Sequence, residues 1–299
     1  MTRPPSSRPG SPRGNAQPAG FTLIEAIIAI VILGILAAGT SAFIVHGVEG
    51  YTDTARRDQL ASMGRLAVER ISRELRNALP NSVRVSGNCI EFMPLATGAR
   101  YQANAGSYAT GESMLPLPVS GFTAAASSFD AFDLSFTPGS GAYYVIVYPV
   151  GPGVAGVGNG DPYAGANPGA RAALAGTTGA GRPANVTRVE LSGTFQFARQ
   201  SPAQRFFIAQ DPVSFCVLGN GELRRYSGYG IQAAQPSPPA GGDLLAESVQ
   251  LSDGGNPVTP FRYTPGSLNR NGLAALDLRF MQGGEWIRLR HEVQIRNTP

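Results

Sequence analysis

The 299-residue chain has no lysine, only two histidines, two cysteines and one tryptophan. His46 and His291 cannot supply a soluble Ser-His-Asp or Cys-His site, and no His/Cys cluster has the spacing of metal ligands. We therefore expect no catalytic residue, no metal site, no cofactor and no enzymatic activity. Charged residues are also scarce, at 15%, whereas 42% are hydrophobic, which is typical of a folded protein rather than a disordered one.

Turn-forming residues are abundant. The 38 glycines and 24 prolines favour many short strands and long loops over a helical bundle. The formal charge of +4 lies mostly at the amino end, because the first 20 residues hold three arginines and no acid, leaving 21 arginines against 20 acids. This balance gives no sign of a nucleic-acid-binding surface.

The amino end divides into a polar leader and one long hydrophobic run. Residues 1–20 contain five prolines and three arginines, so they predict neither a helix nor a core and read as a removable leader. From Ala26 to Val45, 20 residues follow without a charge, enough for a helix to cross a hydrocarbon core of about 30 Å. We expect a single membrane span at about 26–45.

An ordinary secretory signal peptide is the alternative, since LAAG at residues 36–39 could act as its cleavage site. Two features oppose this alternative. The hydrophobic run continues to Val45, and the acidic Glu25 stands at its beginning.

The segment GFTLIE at residues 20–25 resembles the processing site of type IV prepilins and of the pseudopilins of type II secretion. The resemblance implies cleavage between Gly20 and Phe21 by prepilin peptidase, N-methylation of Phe21, and a role for Glu25 in assembly. It also implies other minor and major pilins and an inner-membrane assembly platform as partners. The protein would then reside in the bacterial inner membrane, with a periplasmic carboxyl-terminal domain, before entering a pilus.

Glu25 needs a physical account of its own, because a carboxylate inside a bilayer costs about 2.5 to 3.5 kcal/mol. Cleavage after Gly20 would create a partner, since the new amine of Phe21 lies four residues earlier, one helical turn away. The amine of a neighbouring subunit is an equal candidate, and the family resemblance favours it. In the alternative interpretation, Glu25 lies among lipid headgroups and is only solvated.

Beyond Val45 the pattern predicts that the helix continues and becomes amphipathic. Apolar residues recur at spacings of three and four from Val48 to Ala78, and Pro80 ends the pattern. We expect one helix over 21–79, half of it in the membrane and half packed on the domain 80–299. The fold class is α+β, a type IV pilin-like plan with a long helix on a β-rich antiparallel domain.

Within 80–299, short β-branched and aromatic runs predict strands. The runs are 82–85, 89–93, 132–136, 143–150, 186–191, 206–208, 213–218 and 222–226. The clearest element is a hairpin in which 276–280 and 287–295 alternate on either side of the turn QGGE at 282–285. Between 151 and 185 ten glycines and four prolines predict a long flexible loop.

Cys89 and Cys216 are the only cysteines, and the periplasm oxidises thiols, so we expect a disulfide between them. Two separate buried thiols are the alternative, since sequence separation does not tell whether two strands are neighbours.

Calcium binding and nucleic-acid binding are two further functions that surface residues could serve. Asn159 and Asp161 could ligate calcium, but two oxygens in a glycine-rich stretch are weak support. Nucleic acid could bind to two groups of residues, Arg224-Arg225-Tyr226 and the pair of Arg288 and Arg290. However, alternate arginines on a strand usually form its solvent face. We expect neither activity.

Blocks at 55–95, 211–230 and 291–297 are similar to minor subunits of the mannose-sensitive hemagglutinin (MSHA) type IV pilus and related PilW-type and J-type subunits. The resemblance implies a minor pilin that helps to initiate or cap a pilus. A minor pseudopilin of type II secretion and a pilus-carried adhesin or binding module remain alternatives.

Overall fold

The structure of the chain, a computed structural model, describes residues 20–101, 115–116, 125–152, 158–236, 238–239, 241–266 and 270–296. The predicted leader lies outside these residues except for Gly20. The described part contains one long helix, α1 (Leu23–Arg76), a 3-10 turn at Gly158–Gly160, and seventeen strands. The chain divides into two compact units, which meet between Thr54 and Ala55.

In chain order the strands are β1 (Arg84–Ser86), β2 (Cys89–Phe92), β3 (Leu95–Tyr101), β4 (Ala126–Phe132), β5 (Tyr143–Ile146), β6 (Arg171–Thr178), β7 (Val186–Phe195), β8 (Arg205–Gln210), β9 (Val213–Val217), β10 (Leu223–Tyr226), β11 (Asp243–Ala246), β12 (Val249–Gln250), β13 (Ser252–Asp253), β14 (Asn256–Pro257), β15 (Phe261–Thr264), β16 (Gly272–Gln282) and β17 (Glu285–Ile295).

In the second unit, two antiparallel sheets share one core with the helix. The first has the order β1-β2-β9-β10-β11, and the second has β12-β16-β15 with β17 on β16. Leu60, Ile71 and Leu75 of α1 are fully buried in a cluster that includes Phe215 of the first sheet and Phe280 of the second. The carboxyl-terminal part of α1 therefore contributes side chains to the hydrophobic core of both sheets.

A second core fills a closed antiparallel barrel in the order β3-β4-β7-β6-β5-β8. Its interior is rich in aromatic rings, with Phe129 edge-on to Phe206 at a centroid distance of 5.1 Å. The barrel strands lie in the sequence between β2 and β9, which are neighbours in the first sheet. The barrel is thus an insertion between two paired strands.

The α+β prediction of a long apolar helix followed by a strand-rich antiparallel domain is confirmed. The terminal hairpin is also present, with β16 and β17 in register from Gly272 with Ile295 to Gln282 with Glu285. Gly283 and Gly284 form its turn with φ of 59° and 88°, in the left-handed region that favours glycine.

Two boundaries differ from the predictions. The helix ends at Arg76 rather than Leu79, because Asn77 accepts from the Leu95 amide at 2.8 Å and Leu79 donates to Met93 at 2.8 Å. The strand expected at 132–136 runs over Ala126–Phe132 instead.

The predicted flexible loop 151–185 is wrong at Arg171–Thr178, which forms β6. Small residues give this strand little β pattern of its own, and it forms because β5 and β7 pair with its two edges. The part of the expected loop at 153–157 lies outside the described residues.

Candidate functional site

The predicted processing segment stands immediately before the helix. Gly20 and Phe21 are exposed and non-helical, and Phe21 is 82% exposed. Thr22 caps the helix, since its Oγ1 accepts a hydrogen bond from the Glu25 amide at 3.3 Å. The Gly20–Phe21 bond therefore lies in an open, extended stretch of the described chain.

Glu25 lies in the first turn of α1, three residues after the cap. Thr22 and Glu25 match the S/T-x-x-E capping pattern, and a carboxylate at this end also interacts favourably with the helix dipole. Our sequence reasoning missed the role of Thr22, although this pattern could have revealed it. The structure therefore shows the backbone amide of Glu25 capped by Thr22, whereas the assembly role of its carboxylate is what the resemblance implies.

The apolar run of α1 has hydrophobic side chains exposed all around the helix. Ile30, Leu33, Ile35 and Phe43 are each more than half exposed within the first unit. A helix that is apolar on every side requires lipid or other apolar helices around it. By length and composition, this is the one helix in the described part of the chain that could cross a membrane.

Two hydroxyl side chains in the run are satisfied within the helix itself. Thr40 Oγ1 donates to the Leu36 carbonyl at 2.8 Å, and Ser41 Oγ donates to the Ala37 carbonyl at 2.8 Å. Such bonds remove the cost of placing a hydroxyl in hydrocarbon. Between Leu23 and Val45, Glu25 is the one ionisable side chain of this helix.

Farther along, α1 is fastened to the body by close packing and ion pairs. A Cβ on Gly64 would lie 2.6 Å from Leu289 Cδ1, so the helix and β17 approach closely here. Glu74 accepts two hydrogen bonds at 3.0 Å from Arg225 of β10, and Arg57 pairs with Glu285 at the start of β17. Glu69 and Arg73 form an exposed pair on the helix at 3.7 Å.

The base of the barrel insertion is closed by a disulfide. Cys89 of β2 and Cys216 of β9 face each other in register, with Cα atoms 4.1 Å apart and sulfurs bonded at 2.06 Å. Both residues are buried against Tyr226. The predicted pairing of the two cysteines is thus present, and it joins the strands by which the chain leaves and re-enters the sheet.

A buried ion pair lies beside the disulfide. Glu91 of β2 is fully buried, and the Arg84 guanidinium of β1 donates to its Oε1 at 2.6 and 3.1 Å. Ser214 of β9 also donates to Glu91, at 3.4 Å. Burial raises the pKa of the Glu91 carboxyl, and the adjacent Arg84 guanidinium opposes that rise.

Arg84 connects this pair to the barrel and to a neighbouring loop. Its guanidinium carbon lies 3.7 Å from the ring centroid of Tyr163, and it donates to the carbonyls of Gln232 and Ala233. Burial raises the pKa of Tyr163 well above its usual range, and its hydroxyl donates to the Ser82 carbonyl at 2.8 Å. These contacts hold β1, the segment around Tyr163 and the loop at 232–233 together; they do not activate a nucleophile.

Our sequence reasoning also missed the pair of Arg84 and Glu91. The tight Gly87-Asn88 turn places these residues opposite each other in the β1–β2 hairpin, so the strand pattern could have predicted the pair.

The barrel has a comparable buried ion pair, since Asp130 is buried and accepts hydrogen bonds from both Arg182 and Arg188. No sequence spacing linked Asp130 to those two arginines.

Of the two residues considered for calcium, Asp161 is engaged within the protein. Asp161 Oδ1 accepts from the Tyr163 amide at 2.8 Å, and Asn159 lies in the 3-10 turn. In the described ranges, no group of three or more His, Cys, Asp or Glu residues could hold a metal ion.

The arginines considered for nucleic acid are engaged in the same way. Arg224 pairs with Glu222 at 2.6 Å, whereas Arg288 and Arg290 both pair with Asp277. Exposed His46 lies 3.5 Å from Glu49 on α1, and half-buried His291 lies on β17.

Comparison with known proteins identifies a family motif at the amino end. Residues 16–41 match the family described as the prokaryotic N-terminal methylation motif. No curated protein and no solved structure matches the chain. The motif covers Gly20, Phe21 and Glu25 and continues into the exposed apolar helix, a combination that suggests membrane anchoring. The motif is of the type IV prepilin-like kind, and it implies processing by prepilin peptidase and assembly with other pilins.

Proposed function

We propose that the chain is a minor pilin of an MSHA-like type IV pilus that helps to initiate or cap pilus assembly. One observation carries the proposal: an exposed methylation-motif segment leads into a helix that is apolar on every side, and the same helix ends as core of a β-rich body. The blocks at 55–95, 211–230 and 291–297, which resemble the MSHA pilus protein MshO, support the minor-subunit assignment.

In this proposal, prepilin peptidase cleaves between Gly20 and Phe21, and Phe21 is then N-methylated. The span at about 26–45 holds the protein in the inner membrane with its body in the periplasm. Glu25 pairs with the amino terminus of a neighbouring subunit, which offsets the cost of a carboxylate in hydrocarbon. The body acts structurally and not as an enzyme.

The test is the mass and amino-terminal sequence of the protein from membranes of cells with and without prepilin peptidase. We expect a chain that starts at N-methylated Phe21 in the first case and an unprocessed chain in the second. A start at Thr40 or Phe43 in either strain would indicate ordinary signal cleavage and would overturn the pilin assignment. The adjacent genes distinguish an MSHA-like pilus from type II secretion.

A pilus-carried binding module is the second candidate, and the inserted barrel favours it. The barrel has its own buried core and contributes little to the sheet on which α1 packs. Binding of the purified protein to cell surfaces or glycans, lost on mutation of exposed barrel residues, would support this candidate. Pilus assembly that fails without the protein but needs no such ligand would support the first.

A further inference from the structure

The second sheet ends in a long unpaired edge. β17 pairs with β16 over all 11 of its residues and with no other strand of the described chain. It contains neither proline nor glycine. Edge strands of this length offer backbone N–H and C=O groups that can pair with an added strand.

A groove runs between this edge and α1. Its volume is about 270 Å³, and Val68 of the helix and Leu289 of the strand provide its apolar lining. Ser72 also lines the groove and is only 2% exposed. Its Oγ has no hydrogen-bond partner among the residues that the structure describes. A buried hydroxyl without a partner is uncommon, because its desolvation is not offset by a hydrogen bond.

The rim of the groove is positively charged. Arg65 and Arg76 line it and are exposed, and neither has an ion pair within the described part of the chain. Arg290 lies on the strand side with its side chain 68% exposed, although it shares Asp277 with Arg288. The one acid in the lining, Glu69, is paired with Arg73. The unpaired charge therefore favours an anionic occupant.

The spacing of the two helix arginines suits an extended peptide. Residues 65 and 76 are separated by three helical turns, about 16 Å along the axis, and so lie on one side of α1. Two carboxylates at positions i and i+4 of a strand project from the same face about 13 Å apart. The flexible arginine side chains can cover the difference, and residue i+2 of such a strand would face Val68 and Leu289.

We propose that the edge of β17 and this groove bind an extended segment of a partner protein with the pattern acid-x-apolar-x-acid. The segment adds to the sheet as a strand beside β17. Its apolar side chain fills the space between Val68 and Leu289. Its two carboxylates pair with Arg65 and Arg76. This proposal does not depend on the pilus assignment.

The test uses the full chain in detergent micelles and a fluorescent peptide with the core sequence Thr-Glu-Thr-Val-Thr-Glu-Thr. A peptide with both glutamates replaced by glutamine is its control. Anisotropy should show binding about tenfold tighter for the acidic peptide. The variant R65Q/R76Q should lose that preference. The control R70Q changes a charge on the same helix outside the groove, and its partner Glu74 stays paired with Arg225, so it should keep the preference. Melting temperatures confirm that both variants are folded.

Hydrogen exchange locates the peptide. The acidic peptide should slow amide exchange in Glu285–Ile295 and leave the other sheet's edge strand, Asp243–Ala246, unchanged. Equal binding of the two peptides, no binding of the acidic one, or no protection of β17 would overturn the proposal. Protection of β17 that rises with protein concentration in the absence of peptide would assign the edge to a second copy of the chain and would also overturn it.

Discussion

Cys89 and Cys216 face each other across β2 and β9 with Cα atoms 4.1 Å apart, although 127 positions separate them in the sequence. The whole barrel, from Leu95 to Gln210, lies between them along the chain. The bond therefore closes the loop that carries the insertion, at the place where the two strands enter the shared sheet.

We expect C89S/C216S to lower the free energy of unfolding by up to about 5 kcal/mol, the loop-closure value for a crosslink of this span. Thermal unfolding of wild type and variant, each with and without reductant, measures the loss. Reductant should destabilise wild type alone. Non-reducing peptide mapping that finds both thiols free in exported protein would contradict the bond.

The part of α1 beyond Thr54 should be necessary for a stable body. A fragment of residues 52–299 retains Leu60, Ile71 and Leu75, whereas a fragment of residues 80–299 loses them and uncovers Phe280. Each large apolar side chain buried on folding contributes about 1.5 to 3 kcal/mol, so the shorter fragment should melt at a much lower temperature or aggregate. Equal melting temperatures would show that the helix does not stabilise the sheets.

Glu25→Ala should insert into the membrane at least as well as wild type, because it removes a charge that costs about 2.5 to 3.5 kcal/mol in hydrocarbon. Incorporation into assemblies with other subunits should fall. Glu49→Ala, an acidic change beyond the opposite end of the span, is the matched control and should assemble normally. Fractionation and crosslinking measure the two effects, and unchanged assembly of the Glu25 variant would refute the paired-charge account.

Asp277→Asn should destabilise the body at neutral pH, and the difference from wild type should shrink in acid. Hydrogen bonds from Arg288 lower the pKa of Asp277 below its ordinary 3.8. A carboxyl with a lowered folded pKa stabilises fully above its unfolded pKa and loses that contribution as pH falls through the folded one.

Chemical unfolding from pH 7 down to about pH 2 measures this difference, which we expect to reach about 1 to 3 kcal/mol at neutral pH. Glu292→Gln, which removes an exposed carboxylate from β17, is the control. A gap between wild type and the Asp277 variant that stays constant with pH would show that the charge of Asp277 is not responsible.

Gly169→Ala should disrupt the barrel, because a Cβ there would collide with the backbone carbonyl of Ala166, which cannot move aside as a side chain can. We expect a loss of about 1 to 3 kcal/mol, as for other overpacked sites. Gly179→Ala, in the same barrel but with no atom within 4 Å of the added methyl, should be close to neutral. Equal stabilities of the two variants would count against the packing at Gly169.

Local patterns predicted the elements whose signals lie within short segments. The uncharged run from Ala26 to Val45 predicted an apolar helix, and strict alternation with a Gly-Gly turn predicted the β16–β17 hairpin. Both features need only neighbouring residues, since helix and hairpin bonds join positions close in sequence. The capping role of Thr22 and the pairing of Arg84 with Glu91 also depend on residues close in sequence, although we did not predict them.

The barrel could not be predicted in this way. β6 consists mostly of alanine, glycine and threonine, and it becomes a strand because β5 and β7 supply hydrogen bonds at both edges. The end of α1 at Arg76 likewise depends on Leu95 and Met93, which compete for the backbone groups of residues 77–79. Pairing between distant segments decides such features.

The sequence alone determined the methylation motif, the apolar helix, its amphipathic continuation and the two cysteines in strand-like runs. Each of these features depends only on residues that are adjacent or periodic in the chain. Only the tertiary structure decided that those cysteines meet, that a closed barrel is inserted between their strands, and that β17 leaves an open edge beside a buried Ser72 hydroxyl. The physical reason is that strand order and burial depend on contacts between residues far apart in the chain, which propensity and periodicity do not encode.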